Sequence, residues 1–354
     1  MRIVLSNSSS QWGGVHKVTE ILARGFLERG HDVIVFGLRG GMLEERMRGV
    51  APFAPIIGGV DFNPAALWRA YQAIGKHRSD VVLALMKKDM TMTAVSAVAR
   101  GVPVVMRHAN QRPLGRNFYW KKLYGDLPAL HIANAEATKQ TLLESSPWLR
   151  ADRVEVIYNG IDPSPYERAR AAGIGVPEGA LAVGFVGSFT ARKGVRELSR
   201  AWHRVADEIP NAHLVIVGKG GLEEEMRTLL GIAPRVHWLG YRTDVPEILH
   251  ALDVLVLPSY VEGAPNVVLE AMCAGVPIVA TAVSGTPELV RDRIEALLVR
   301  PRSEADLAAS LIEALSKPDL RRGMADAAKC RVTEKFGLST MIDAYEEALG
   351  RVAG

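Results

Sequence analysis

Two successive series of short, β-rich apolar runs, each alternating with stretches of helical period, constrain this chain more than any other feature. The pattern is that of parallel sheets wrapped by helices, because crossover helices cover both faces of a strand and leave it apolar throughout. The first series reads RIVLS (2–6), DVIVFG (32–37), VVLAL (81–85), PVVMR (103–107), LHIAN (130–134) and VEVIY (154–158). Between its first two runs, Val15, Val18, Leu22 and Phe26 recur at helical spacing and predict a helix to about Arg29. The series restarts with LAVGFVG (181–187), AHLVIVG (212–218), RVHWLG (235–240), DVLVLP (253–258) and PIVAT (277–281). Between the series, the polar, Pro- and Gly-rich segment 161–180 reads as a linker.

The expected class is α/β, two doubly wound Rossmann-like sheets in tandem. A length of 354 residues accommodates two domains. Ligands of such sheets lie beyond the carboxyl ends of the strands, so two facing sheets would form a cleft. The division is placed at 1–165 and 166–335, with a last helical stretch over 336–354. The net charge of +4 is uneven, since the basic excess lies before residue 165 and the remainder is mildly acidic. That asymmetry suggests different partners for the two halves. Cys273 and Cys330 alone build neither a disulfide framework nor a cysteine zinc site, which fits a reducing cytosol. MRIVLSNSSS is too polar for a signal peptide, and no run approaches the ~18 apolar residues of a membrane helix.

Chemistry concentrates in strand-to-helix turns. In VEGAPNVVLEAMCAGVPIVA (261–280), Gly263, Ala264, Pro265 and Asn266 form a turn into a helix whose first amides suit a phosphate. Glu270, one turn in, can accept hydrogen bonds from a ribose diol, and Glu262 from hydroxyls of whatever the phosphate carries. The alternative from these residues alone is that Asn266 caps the helix and both acids are solvated. GSFTARKG, from Gly187 through Ser188 to Arg192, Lys193 and Gly194, can bind diphosphate through amides and two cations, or be a solvated loop. Gly13 and Gly14, before the first helix, permit close approach of a ligand or simply a tight turn. GKGG (218–221) has Glu223 where a dinucleotide fingerprint needs its third glycine, which argues against a nicotinamide enzyme. His108 ends a strand where ligands lie and can bond a sugar hydroxyl; a lone histidine is otherwise structural. No metal-ligand constellation accompanies it. Arg107, Arg112, Arg116, Lys121 and Lys122 surround the aromatic run Phe118-Tyr119-Trp120. That combination suits an anionic membrane surface or a phosphorylated acceptor, or else core aromatics beneath a solvated basic face, and is thin support for nucleic acid.

Together the motifs resemble those of retaining glycosyltransferases of family 4, with the GT-B architecture of two Rossmann-like domains facing across a cleft. The resemblance runs through Gly13-Gly14, ERGHDVIVFG, NGID (159–162), FVGSFTARKG, VGKG and the E-x7-E segment EGAPNVVLE. It implies that Glu270 binds the ribose and Glu262 the donor sugar. Amides of Ala264 to Val268, including Val267, would hold the diphosphate with Lys193. It implies His108 near the transferred sugar, Gly14 beside the phosphates, and base contacts by backbone around Gly240, Tyr241 and Arg242. It also implies that the helix after Phe336 returns to the first domain. Ser188 departs from the pattern, since many relatives carry a basic residue there, and Arg192 is its candidate substitute.

The expectation is a cytoplasmic enzyme at the inner face of the plasma membrane. It would use a nucleotide-sugar donor, UDP by family preference, with no metal and no other cofactor. The acceptor would be a glycan or lipid-linked glycan of the lipopolysaccharide kind. The rivals are a transferase for a soluble small acceptor, a sugar-nucleotide epimerase of the same architecture, and a non-catalytic nucleotide-sugar binding protein.

Overall fold

A computed structural model describes residues 1–10, 13–57, 63–111 and 113–354. The chain forms two units, Met1–Gly160 with Leu338–Gly354, and Ile161–Gly337.

The first unit is built on strands β1 (Arg2–Ser6), β2 (Asp32–Leu38), β3 (Phe53–Ile57), β4 (Val81–Ala84), β5 (Val104–His108), β6 (Leu130–Ala133) and β7 (Val154–Val156). Their order is β3-β2-β1-β4-β5-β6-β7 and every pairing is parallel. Alternate residues serve opposite faces, and both faces are covered. Ile3, Leu5, Val33, Val35, Leu83 and Val105 pack on one side against the helices Gly14–Glu28 and Leu338–Ala353. Val4, Phe36, Val82, Val104 and Met106 pack on the other, against the helix Pro64–His77. The terminal helix docks through Met341, Ile342 and Leu349, each buried, and each such side chain stabilises the contact by ~1.5–3 kcal/mol. Gly25 admits the approach, because a Cβ there would stand 2.7 Å from Ile342 Cδ1.

The second unit holds β8 (Leu181–Val186), β9 (Ala212–Val217), β10 (Val236–Gly240), β11 (Val254–Leu257), β12 (Ile278–Thr281) and β13 (Ala296–Val299), all parallel, in the order β10-β9-β8-β11-β12-β13. Phe185, Leu214, Ile216 and Val256 meet Leu198, Trp202 and Val205 of the helix Val195–Glu208, and Leu307 and Leu311 of the helix Glu304–Ser316.

Three features differ from the sequence expectation. Each sheet has one more strand than the apolar pattern picks out, β3 and β13, and both are edge strands. Pro55 inside β3 disguised it, and only an edge tolerates the missing N–H. The segment 161–180 is no free linker: Tyr166, on the short helix Ser164–Arg168, and Ile174 are buried in the second unit, so the chain divides after Gly160. No helix among the described residues is long and apolar enough to cross a membrane.

Candidate functional site

In the second sheet the strand order reverses between β8 and β11, where loops on either side diverge and leave room for a ligand. The two loops that leave there are 187–194 and 258–265, the pair singled out from sequence. Gly194 brings them together. Its φ is +63°, and a Cβ on it would stand 1.8 Å from the Pro258 carbonyl oxygen. The loop therefore lies directly on the end of β11, and Lys193 Nζ reaches Glu262 Oε1 at 2.5 Å. Ser259 Oγ donates to the same oxygen at 2.7 Å, and Arg192 Nη1 stands 3.5 Å from Oε2. The Glu262 amide donates to Ser284 Oγ at 3.1 Å. Glu262 and Lys193 are both buried while Arg192 is half-exposed. The solvated-acid alternative is thereby overturned for Glu262, since a carboxylate out of water requires such partners.

The helix Asn266–Ala274 begins behind this cluster. Asn266 is its first residue and not its cap; the cap position is Pro265, which makes no side-chain bond. The first turn carries no acid, so the partial positive charge of the helix end is not offset there. Of the amides expected to hold a phosphate, that of Val268 is spent on the Pro265 carbonyl at 3.1 Å, and the Gly263 carbonyl accepts from Gly285 at 3.1 Å. Gly263 and Ala264 form the turn before the helix, and Asn266 and Val267 its first turn. Glu270 is also buried, contrary to the solvated reading. It bonds the Tyr166 hydroxyl, whose proton is held more firmly than usual by burial and by this carboxylate. Burial and the same carboxylate push the Cys273 thiol up to about 12, which leaves it an unreactive thiol.

The remaining donor-side candidates sit at neighbouring strand ends. The Gly218 amide donates to the Gly240 carbonyl at 2.8 Å, and Lys219 Nζ lies 5.1 Å from the ring centre of the half-exposed Tyr241. Arg242 is engaged by Asp244, Nε to Oδ1 at 2.7 Å. The helix after GKGG starts with Glu223, Glu224 and Glu225, three acids that disfavour a phosphate at that end. Gly187 and Ser188 lie against this loop, where the Phe189 amide donates to the Lys219 carbonyl at 3.1 Å. A Cβ on Gly218 would meet the Gly187 carbonyl oxygen at 1.8 Å, so that glycine serves loop packing.

In the first unit the order reverses between β1 and β4. Gly14 opens the helix Gly14–Glu28 and Gly13 caps it in extended backbone; a Cβ on Gly13 would meet nothing within 4 Å, so packing alone does not demand a glycine. His108 ends β5, and its Nε2 lies 2.9 Å from Nδ1 of the buried His131 on β6. Burial, the paired imidazole and Arg107 hold His108 well below the usual histidine range; burial lowers His131 to about 4.

Arg107 does not belong to the basic surface expected of it. It lies inside a fully buried strand and is itself buried, with Nε donating to Tyr345 Oη at 2.9 Å and Nη2 to Asn159 Oδ1 at 2.8 Å. Arg112 falls outside the described residues. Arg116, Lys121 and Lys122 are exposed, as are Phe118 and Tyr119, so these two aromatics are not core. Among the described residues no group of three His, Cys, Asp or Glu could hold a metal ion.

Residues 12–165 match the family model described as Glycosyltransferase Family 4, and residues 180–317 that described as Glycosyl transferases group 1. The chain belongs to glycosyltransferase family 4. Among its relatives, a D-inositol 3-phosphate glycosyltransferase of Stackebrandtia nassauensis is 32% identical over 57% of this chain and 50% of its own. The UDP-Gal:alpha-D-GlcNAc-diphosphoundecaprenol alpha-1,3-galactosyltransferase of Escherichia coli is 24% identical over 65% of this chain and 64% of its own. The family 4 chain thus spans about half to two thirds of the length of the curated relatives it matches. Among solved structures, Anabaena HepE in complex with UDP-glucose aligns with a TM-score of 0.84 over 99% of this chain and 100% of its own, at 21% identity. The two doubly wound units of this family 4 member are those of the GT-B architecture.

Ser259, Ser284, Tyr166 and His131 escaped the sequence reading. Ser259 had a signal, a hydroxyl three residues before Glu262 at a strand end. Tyr166 had none, because it reaches the site from the segment read as linker, and Ser284 lies beyond the last apolar run, where no motif drew attention to it. His131 had a faint one. His108 pairs with Ala133 across β5 and β6, which puts His131 on the same face of the sheet as His108.

Proposed function

We propose that the chain transfers a hexose from UDP-sugar to a glycan or lipid-linked acceptor, with retention of anomeric configuration and without a metal. The observation that carries this reading is the buried Lys193–Glu262–Ser259 cluster beside the start of the helix Asn266–Ala274, with Glu270 one turn further on. A diphosphate at the helix start meets amides, the positive helix end, Lys193 and the more exposed Arg192. These groups neutralise the charge that builds on the departing phosphate, the task a divalent ion performs elsewhere. Glu270, oriented by Tyr166, accepts from the ribose diol; Glu262 accepts from hydroxyls of the sugar. The leaving phosphate then takes the acceptor's proton on the face it vacates, so no separate base is required. His108, neutral, bonds a hydroxyl of the transferred sugar. Gly13 and Gly14 give phosphate groups room at the start of the first helix, and Tyr241 with the backbone of Gly240 to Arg242 flanks the base.

UDP is favoured over other nucleotides by the UDP-glucose complex of the Anabaena neighbour and by the UDP-galactose donor of the Escherichia coli relative. That relative's diphosphoundecaprenol-linked substrate, with the exposed Phe118, Tyr119, Lys121 and Lys122, favours an acceptor presented at an anionic membrane. The test is thermal unfolding against UDP, GDP, ADP and NAD, where a ligand at a hundred times its dissociation constant adds ~2.7 kcal/mol. UDP alone should stabilise, and a UDP-sugar panel then names the sugar. Stabilisation by NAD alone, or by none of the four, refutes the reading.

A further inference from the structure

We propose that His131 is a positioning residue that fixes His108 as the tautomer with a bare Nδ1, so that His108 acts as a hydrogen-bond acceptor for one free hydroxyl of the sugar. The inference rests on the reading of His108 as facing the transferred sugar. The paired register of β5 and β6 places Met106 opposite His131 and His108 opposite Ala133. The two rings meet edge to edge, with centroids 5.2 Å apart and planes at 26°, and His108 Nε2 stands 2.9 Å from His131 Nδ1.

A nitrogen-to-nitrogen contact of that length holds one proton, donated by one ring and accepted by the other. A second proton is opposed by burial and by the neighbouring Arg107 guanidinium, whose partners are the neutral Tyr345 and Asn159. The direction of the bond follows from the far side of His131. Its Nε2 is enclosed without a well-formed bond, and the backbone carbonyl of Tyr124 is the acceptor turned toward it. A proton on Nε2 is attracted to that oxygen, whereas a lone pair there would be repelled by it. Nδ1 of His131 is therefore bare and accepts from His108 Nε2–H. Nδ1 of His108 is left as a lone pair, and the small exposure of the pair, 8% against 0%, belongs to His108. Such a nitrogen accepts from a sugar O–H and offers nothing to a keto or ether oxygen. The pair thereby sets specificity as well as orientation.

Long-range 1H–15N correlation spectra of the full chain, 15N-labelled at histidine and recorded at pH 7, read the tautomers directly. His108→Gln and His131→Asn assign the signals. Both rings should be neutral with the proton on Nε2; a His108 protonated at Nδ1, or doubly protonated, overturns the proposal. In transfer assays His131→Leu should lower kcat about 10-fold or more, with the dissociation constant for UDP changed less than about twofold. His131→Asn, whose Oδ1 stands where Nδ1 stood, should recover most of the loss. Wild-type kcat in a folded His131→Leu protein overturns the proposal; should that variant not fold, the wild-type spectra decide. A chain with the expected tautomers that transfers no sugar overturns the functional reading and upholds the pairing.

Discussion

Lys193 and Glu262, the cation and the carboxylate assigned to the donor, are bonded to each other, with Nζ 2.5 Å from Oε1. Neither is exposed enough for water to take the partner's place. The desolvation of both charges is thus met during folding, by each other and by Ser259, before any ligand arrives. On the proposed reading, a bound diphosphate would draw on Lys193 while sugar hydroxyls took up the acceptor capacity of Glu262, so the exchange would need little rearrangement.

Lys193→Met should therefore cost both stability and binding. Glu262 would keep Ser259 but lose its buried cation, which destabilises by about 3–5 kcal/mol, and the UDP-dependent rise in Tm should vanish. Lys193→Met with Glu262→Gln should be more stable than Lys193→Met alone, as coupled neighbours are not additive. Denaturant titrations of the single and double variants measure this. Equal stability of Lys193→Met and the wild type would refute the pair's role.

Glu270→Ala should lose most nucleotide affinity, about 100-fold or more, and Tyr166→Phe about 10-fold, because the carboxylate then lacks the hydroxyl that orients it. Titration calorimetry with UDP separates the two effects. Unchanged binding by Glu270→Ala removes the ribose assignment; loss with Glu270→Ala but none with Tyr166→Phe removes only the orienting role.

The two loops at the β8–β11 switch point were legible in the sequence because turn chemistry is local: glycines, a proline and charges within eight residues of one another. Their coupling was not, since it depends on Gly194 abutting the Pro258 carbonyl, a contact between residues far apart in sequence. Arg107 misled for the same reason. Its charge and its neighbours Arg112 and Arg116 suggested surface, but it lies on an interior strand, and its partners Asn159 and Tyr345 are 52 and 238 residues away. The edge strands β3 and β13 were missed because an edge can be short or hold a proline without breaking the sheet.

Asp89 makes the first unit sensitive to pH in a direction opposite to that of a paired surface acid. It is buried near the ends of β1 and β4, where its Oδ2 accepts from the amides of Met86 at 2.8 Å and Leu85 at 3.1 Å. Burial outweighs these bonds and raises its pKa from 3.8 to about 6. The fold thus favours the protonated form. Its contribution is complete below the unfolded value of 3.8 and is lost as pH rises through about 6. Asp89→Asn, which mimics the protonated acid, should be more stable than the wild type at pH 8 by about 1–3 kcal/mol, with the difference closing toward pH 4. Urea unfolding at several pH values tests the sign; an Asn variant less stable at pH 8 would contradict it.

Binding to anionic membranes, if the exposed segment Phe118 to Lys122 carries it, should follow the exposed lysines and not Arg107. Lys121 and Lys122 both stand in solvent, although Lys122 shares its charge with Asp126 at 2.8 Å. Each lysine near an anionic surface contributes about 1 kcal/mol, so Lys121→Ala with Lys122→Ala should weaken partitioning into phosphatidylglycerol vesicles about 30-fold at low salt. The same experiment at ~0.15 M salt should narrow the difference, because the screening length falls to about 8 Å. Arg107→Met should instead leave Asn159 and Tyr345 without their donor and lower stability by about 2–4 kcal/mol, with vesicle binding of the folded fraction unchanged. Sedimentation with vesicles beside thermal unfolding distinguishes the two residue sets. Equal partitioning of the double lysine variant and the wild type would move the acceptor from a membrane surface to solution.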